Sequence, residues 1–300
     1  MKYSIIIHGG AGSGSLSLFK KIQNKNNIPN NLSIMYENAL TECLQVGINM
    51  LESGNNAIDT CTKTIMALEN NELFNAGYGS VFDRNGNIFH DAVIMDGSNM
   101  RWGGVCYTNI IKNPISMANS LIQENVLIAG NENIKPLAKK YKVELVDNMD
   151  YFKSNFRIGM QQVLEDLGTV GVVVYDSKGN IAAGTSTGGR YNKIPGRIGD
   201  AAMIGNSTIA DNKVCGISTT GFGEYIITNN AASQIKHRME LGNESIESAI
   251  NATINKISPH SVGIIGIDRN GKIYHSKNTE RMYVAWKYND SNINVKTYLQ

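Results

Sequence analysis

The sequence predicts an α+β fold in which antiparallel sheets are covered by helices, on three observations: repeated hairpin signatures, helices that come in groups, and no linker dividing the chain. An apolar run, an Asp-x-x-Gly turn and a second apolar run recur at Val81–Ile88, Val174–Ile181 and Gly266–Ile273, the local pattern of a β-hairpin with glycine at positive φ. Hairpins join antiparallel neighbours, whereas a doubly wound parallel sheet alternates single strands with helices. Helical patterns gather at 33–70, 114–123, about 151–166 and 228–255. A four-layer αββα sandwich is one way to pack such elements. No Pro-rich or Gly/Ser-rich stretch separates two halves, so residues 1–300 read as one domain.

Each element has a local reason. Tyr3–Ile7 is β-branched and aromatic and breaks at His8-Gly9-Gly10-Ala11-Gly12-Ser13-Gly14, so a strand runs into a glycine loop. From Ser33 to Met50, Ile34, Met35, Ala39, Leu40, Cys43, Leu44, Val46, Gly47 and Ile48 fall near helical spacing, and Gly54 supplies the stop. A second helix over Asn56–Asn70 places Ala57, Ile58, Cys61, Ile65, Met66 and Leu68 on one face. Lys139-Lys140-Tyr141-Lys142, the densest basic cluster, reads as a solvated helix end. Leu145–Phe156 is polar and weakly patterned, and Arg157–Leu167 has helical character. Gly168-Thr169 then opens the strand Val170–Tyr175 abruptly, and that junction is the local feature to explain.

Composition narrows the function. With 42% apolar and 18% charged residues the chain has ordinary globular composition. A formal charge of +2 without a basic stripe excludes a nucleic-acid groove. Cys43, Cys61, Cys106 and Cys215 are scattered, with no CxxC and no histidine at ligand spacing, and read as buried thiols. The apolar run Ser4–Ile7 is too short for a signal core or a membrane span, so a reducing cytoplasm is the expected location.

The chemistry lies in hydroxyls. None of the five histidines, His8, His90, His237, His260 and His275, accompanies a serine-nucleophile motif or a metal-ligand spacing, so each reads as structural. Three Ser/Thr/Gly junctions stand out instead: Gly168-Thr169, Thr185-Ser186-Thr187-Gly188-Gly189 and Ser218-Thr219-Thr220-Gly221-Phe222-Gly223-Glu224. Any one alone reads as a loop or a helix cap. Three at strand ends suggest a site that needs no histidine, because a threonine at a free N-terminus uses its own α-amine as base. That amine has an ordinary pKa of about 7.7–8.0, which leaves a neutral fraction near neutral pH. An internal threonine acquires the amine only by cleavage before it. Gly168 suits the cut, since glycine tolerates strained backbone and leaves its carbonyl open to Thr169 Oγ.

These residues carry a resemblance. Gly168-Thr169-Val170-Gly171-Val172-Val173-Val174-Tyr175-Asp176, Thr185–Gly189, Asn192–Asp200 and Thr219–Glu224 resemble the plant-type L-asparaginases and isoaspartyl peptidases of the N-terminal-nucleophile hydrolases. His8–Gly12, Leu73-Phe74-Asn75-Ala76-Gly77 and Asp91–Gly97 extend the resemblance through the N-terminal half, in order.

The resemblance implies self-cleavage into fragments 1–168 and 169–300, with Thr169 as nucleophile and Thr187 supporting its activation. It implies an oxyanion hole from the Thr220 hydroxyl and the Gly221 N–H, and a clamp from Arg197, Asp200 and the Gly223 carbonyl. Arg suits a carboxylate and Asp an ammonium, although Arg197 and Asp200 also read as an ordinary surface pair. Asn75 matches a residue near the nucleophile. The expected substrates are L-asparagine and β-aspartyl dipeptides, in a homodimer of two-fragment protomers with no organic cofactor. A sodium ion is expected on the backbone carbonyls of Leu68, Glu69, Asn71, Phe74, Ala76 and Tyr78. Leu167 departs from a His often found there, and the segment before Gly168 is shorter than in many relatives.

Three other readings stand beside this one. Glycosylasparaginases and threonine endopeptidases of the same group tend to carry Asp before the nucleophile, where this chain has Gly168. A dinucleotide site at Gly10-Ala11-Gly12 lacks the third glycine of its motif. The third is a chain that folds like the family, never cuts itself and serves as a ligand binder.

Overall fold

The computed structural model describes residues 2–12, 31–160 and 168–297. The architecture is α+β, with two sheets that are antiparallel except for one edge pairing. Strand β1 (Ser4–Gly12) is buried along its whole length and leads to helices α1 (Leu32–Glu52) and α2 (Ala57–Glu69). The buried side of α1 is Leu32, Tyr36, Ala39, Leu40, Cys43 and Leu44 with their successors, the one-sided stripe that the 3.6-residue period dictates. The Asn56 side chain caps α2 by accepting from the Asp59 N–H at 2.8 Å. Both predicted helices are present, although Ile34 and Val46, counted in the apolar stripe by spacing, fall on the exposed side of α1.

Strands β2 (His90–Asp96) and β3 (Arg101–Thr108) pair next. Helix α3 (Pro114–Ser120), strand β4 (Leu127–Ala129), and helices α4 (Asn131–Lys140) and α5 (Asn155–Met160) complete this half. Lys139 and Lys140 are exposed in the last turn of α4, as their spacing predicts. The helical pattern at Arg157–Leu167 falls partly outside the described residues, as does Leu167 itself. Strands β5 (Val170–Tyr175) and β6 (Ile181–Thr187) form a hairpin. Strands β7 (Thr208–Asp211) and β8 (Cys215–Gly221) precede helices α6 (Gly223–Asn229), α7 (Ala231–Gly242) and α8 (Ile246–Ile254). Strands β9 (Val262–Asp268), β10 (Ile273–Lys277), β11 (Arg281–Tyr288) and β12 (Asn294–Lys296) close the described chain.

The larger sheet has the order β12-β11-β1-β5-β6-β2-β3-β4 and the smaller β10-β9-β8-β7. Strand alternation divides the apolar core in two. Ile5, Ile7, Val170, Val172 and Val174 face a cluster with residues of α1, α2 and α3. Ile6 and Val173, paired in register, face a second cluster with Ile217, Ile264 and Ile265 of the smaller sheet and Ile235 and Ile250 of α7 and α8.

Two of the three predicted hairpins form; the one at Val81–Ile88 does not. All three share one turn: the Oδ1 of Asp83, Asp176 and Asp268 accepts the N–H groups two and four residues on, at 2.8 to 2.9 Å, and Gly86, Gly179 and Gly271 take positive φ. The difference lies in the arms. The Val81 N–H goes to Asn75, the Ile88 N–H to Met149, and Asp83 bridges Lys193, so the backbone around the Asp83 turn is committed elsewhere. Among the described residues the four cysteines are free and buried, and no helix is long and apolar enough to cross a membrane.

Candidate active site

Three strand ends meet where the two sheets face each other. Val170 pairs with Ser186, which sets Thr169 and Thr187 side by side one step further along the β5–β6 hairpin. Alternation turns Thr169, Gly171 and Val173 toward the smaller sheet, and Thr185 and Thr187 with them. On β8, Gly216 packs against Val173 and Ser218 against Gly171, so Thr220 continues the same inward row. Thr169, Thr187 and Thr220 are all buried.

One cleft of roughly 470 Å³ of atom-free space, open solvent included, is lined by Gly168, Thr169, Thr187, Gly221 and Gly223. Arg197, Asp200 and Glu224 line it too, with Arg190 and Phe222. It thus gathers the predicted nucleophile, oxyanion donor and clamp. A Cβ added to Gly168 would lie 3.1 Å from Thr220 Oγ1 and 3.5 Å from the Gly221 nitrogen, so these two donors look onto the Gly168 α-carbon. The Ala11 N–H donates to Thr220 Oγ1 at 3.2 Å, which leaves the hydroxyl proton available for another acceptor. At Gly10, where β1 bulges and φ is +116°, a Cβ would sit 2.7 Å from the Gly168 carbonyl oxygen. The carbonyl before Thr169 therefore rests in a hollow that only glycine leaves open.

The two residues of the expected clamp do not pair with each other, so the ordinary surface pair is not what forms. Arg197 donates from Nε to Glu224 Oε1 at 3.0 Å, and no ion pair joins it to Asp200. Its remaining guanidinium nitrogens pack against the α-carbons of Gly199 and Gly223, where a Cβ would approach to 3.2 and 3.1 Å. Burial opposes ionisation of Glu224, yet the Arg197 hydrogen bond and the charges of Arg197 and Arg190 hold its carboxyl below the usual range. Asp200 is 4% exposed, and its Oδ2 has no partner. Burial pushes its pKa up to about 7, against the pull of a backbone hydrogen bond and Arg197. A buried carboxyl with an unmet oxygen is uncommon, and this one lies at the edge of the cleft.

The Asparaginase family pattern matches residues 1–297. The chain belongs to that family. It is 34% identical to the isoaspartyl peptidase of Escherichia coli over 96% of this chain and 93% of that one. It is 34% identical to an isoaspartyl peptidase/L-asparaginase of Xenopus laevis over 89% of this chain and 85% of that one. A plant-type L-asparaginase of Pyrobaculum calidifontis is 32% identical over 94% of this chain and 96% of its own. The family is one of hydrolases acting on small molecules.

Around the cleft of this asparaginase-family chain lie supports that motif reading passed over. His8 Nδ1 donates to the Thr169 carbonyl at 3.0 Å. Its Nε2 accepts from Ser218 Oγ at 2.8 Å, since burial lowers the pKa of the ring to about 3 and keeps it neutral. Ser218 continues to Thr185 at 3.0 Å and Thr185 to Thr208, a row of hydroxyls between the sheets. Gly171 makes this possible, because a Cβ there would occupy the space of Ser218 Oγ and His8 Nε2. An isolated glycine inside the strand pattern was the available signal.

The loop after Thr187 is pinned at several points. Asn75 donates from Nδ2 to the Gly189 carbonyl at 2.7 Å and accepts the Val81 N–H at Oδ1, so its amide braces the loop from behind and does not line the cleft. Lys193, buried and lowered to about 8 chiefly by burial, donates to the carbonyls of Gly188 and Phe89. Asp91 accepts the Gly199 N–H at 3.0 Å. On the opposite face of β6, Ser186 donates to Glu69 Oε1 at 2.7 Å.

The carbonyls expected to hold sodium run from the last turn of α2 into the tight loop that follows it. Leu68, Asn71, Phe74 and Ala76 each accept one N–H, at 3.2, 3.2, 3.0 and 3.2 Å, and keep a second lone pair. Gly77 and Gly79 press on the carbonyls of Glu69 and Phe74, in space that a Cβ would fill. Among the described residues no group of three or more His, Cys, Asp or Glu could hold a metal, so backbone oxygen is the donor chemistry on offer.

Proposed function

We propose that this chain cuts itself between Gly168 and Thr169 and then hydrolyses L-asparagine and β-aspartyl dipeptides through a β-aspartyl ester on Thr169. One observation carries the reading: a single cleft holds Thr169 together with a cation for a carboxylate, Arg197, and a buried carboxyl with an unmet oxygen, Asp200. An amino acid's α-carboxylate and α-ammonium match these two groups, and its β-carbonyl then reaches toward Thr169. The names of the relatives support the same pair of substrates.

In the self-cleavage step Thr169 Oγ adds to the Gly168 carbonyl carbon, and the C–N bond breaks to leave an ester and a free amine. Water hydrolyses the ester, releasing a Gly168 carboxylate. In turnover the α-amine of Thr169 takes the hydroxyl proton while Oγ attacks the substrate β-carbonyl. The oxyanion is held by the Thr220 hydroxyl and the Gly221 N–H, whose direction is set before the charge develops. Collapse breaks the bond to nitrogen, and the amine's proton leaves with ammonia or with an amino acid. Water, deprotonated by the same amine, then frees L-aspartate and restores Thr169. Thr187 sits beside the nucleophile to support its activation, and the Gly223 carbonyl joins Asp200 on the ammonium.

The proposal extends to the molecule around the site. The two apolar clusters support a four-layer αββα sandwich, and strands from both sides of Gly168 in one sheet support a single domain that stays together as fragments 1–168 and 169–300. Free buried thiols favour a cytoplasmic setting. The homodimer rests on the family resemblance. A sodium ion on the carbonyls of Leu68, Glu69, Asn71, Phe74, Ala76 and Tyr78 would stiffen the loop that carries Asn75. No organic cofactor enters any step.

The test is direct. After storage at neutral pH, the 32.8 kDa chain should run as pieces of about 18 and 14 kDa by length proportion, the smaller with Thr169 at its N-terminus. Thr169→Ala should remain whole and turn over neither substrate. An active enzyme whose polypeptide is unbroken would overturn the mechanism.

A further inference from the structure

Arg190 is a cation in the cleft that the mechanism leaves unused. It follows the Thr187-Gly188-Gly189 turn and lines the cleft with Thr169, yet among the described residues it makes no salt bridge. Its guanidinium lies over the ring of Phe222, 5.1 Å from the centroid, and Phe222 lines the same cleft. The nearby carboxylate is engaged elsewhere, because Glu224 Oε1 accepts from Arg197 Nε. An arginine stacked on an aromatic face keeps the edge of its planar fork free for a carboxylate.

Counting charges shows what such a group would meet. Asparagine brings one carboxylate and one ammonium, which Arg197 and Asp200 satisfy. A β-aspartyl dipeptide brings a second carboxylate, at the C-terminus of the residue that leaves. That carboxylate is attached through one carbon to the departing nitrogen, so it must sit close to the carbonyl that Thr169 attacks. We infer that Arg190, held on Phe222, receives the leaving residue's free carboxylate and makes β-aspartyl dipeptides with an unblocked C-terminus the preferred substrates of this site. The inference rests on the hydrolase reading above.

The experiment compares β-aspartyl-leucine with β-aspartyl-leucinamide, which differ only in the second carboxylate. Wild type should show a kcat/KM for the acid roughly tenfold above that for the amide, the effect of one charge-assisted contact. Arg190→Gln should bring the ratio near one, and Arg190→Lys should retain part of it, lacking the fork but keeping the charge. A ratio taken within one preparation does not depend on how much of the protein is folded or processed. A wild-type enzyme that cleaves acid and amide equally, or a ratio unmoved by Arg190→Gln, overturns the inference and leaves the hydrolase reading standing. A wild type that cleaves neither peptide nor asparagine overturns both.

Discussion

Asp200 must lose a proton before it can grip an ammonium, and burial holds that proton until about pH 7. The Thr169 amine must also be neutral to act as base, with an ordinary pKa of about 7.7–8.0. Both requirements act in the same direction. As pH rises through this range the competent fraction of free enzyme grows, so kcat/KM for asparagine should climb with a slope approaching two on its acid limb. Asp200→Asn should reduce that slope to about one and raise KM. A wild-type limb with unit slope would show that only one of the two groups controls binding and attack. At this scale the sequence was informative about the position of Thr169 at a strand end in the cleft, because a threonine opening a strand after glycine is a local anomaly. It was silent about His8, whose partner Ser218 lies 210 residues away and is reached only through the fold. Asp91 and Lys193 stood inside quoted motifs, but their work on the Gly188–Gly199 loop depends on contacts that no spacing encodes.

Strand β5 shows how an element can be specified by what it omits. Gly171 lies beneath the His8–Ser218 contact, opposite His8 in the register of β1 and β5. Gly171→Ala should force that contact apart and cost about 3 kcal/mol in urea unfolding, from overpacking plus a severed buried hydrogen bond. Gly86→Ala, in a turn where an added Cβ meets nothing within 4 Å, should cost about 1 kcal/mol from its positive φ alone. Equal losses would remove the steric argument for Gly171. Legibility at this scale followed the periodicity. Helices α1 and α2 were read closely because their apolar stripes are long and regular. The segment Val81–Ile88 was misread because the Asp-x-x-Gly turn is encoded locally, whereas the pairing of its arms is decided by Asn75, Met149 and Lys193. Helix α4 was glimpsed only at its basic end, since Pro136 interrupts its pattern.

In the whole molecule, strands on either side of Gly168 are interleaved. β1 lies between β5 and β11, and β6 lies between β5 and β2, so each fragment supplies neighbours to the other within one sheet. Separating the two parts would expose the backbone of central strands, which would tie the products of the proposed cleavage together without a covalent link. The grouping of strands and helices made the α+β class legible. The division of the strands into eight and four was not, because strand order depends on pairings far apart in sequence.

The pairing of β1 with β11 has a practical corollary. The Tyr3 N–H donates to Asn289 Oδ1 at 3.0 Å, and from there β12 runs back along β11 to bring Lys296 opposite Val284, so the outer limits of the described fold lie on the same side of one sheet, about a strand length apart. A gene could be rewritten to start translation at Thr169, pass through a spacer of about ten residues, long enough to run the length of a strand from residue 297 to residue 2, and stop at Gly168. Once its initiator methionine is trimmed, such a permuted enzyme would be born with its amine exposed, and should turn over asparagine at once while showing a single band on a denaturing gel. Maturation would then have been moved from the protein's own chemistry into the order of its codons.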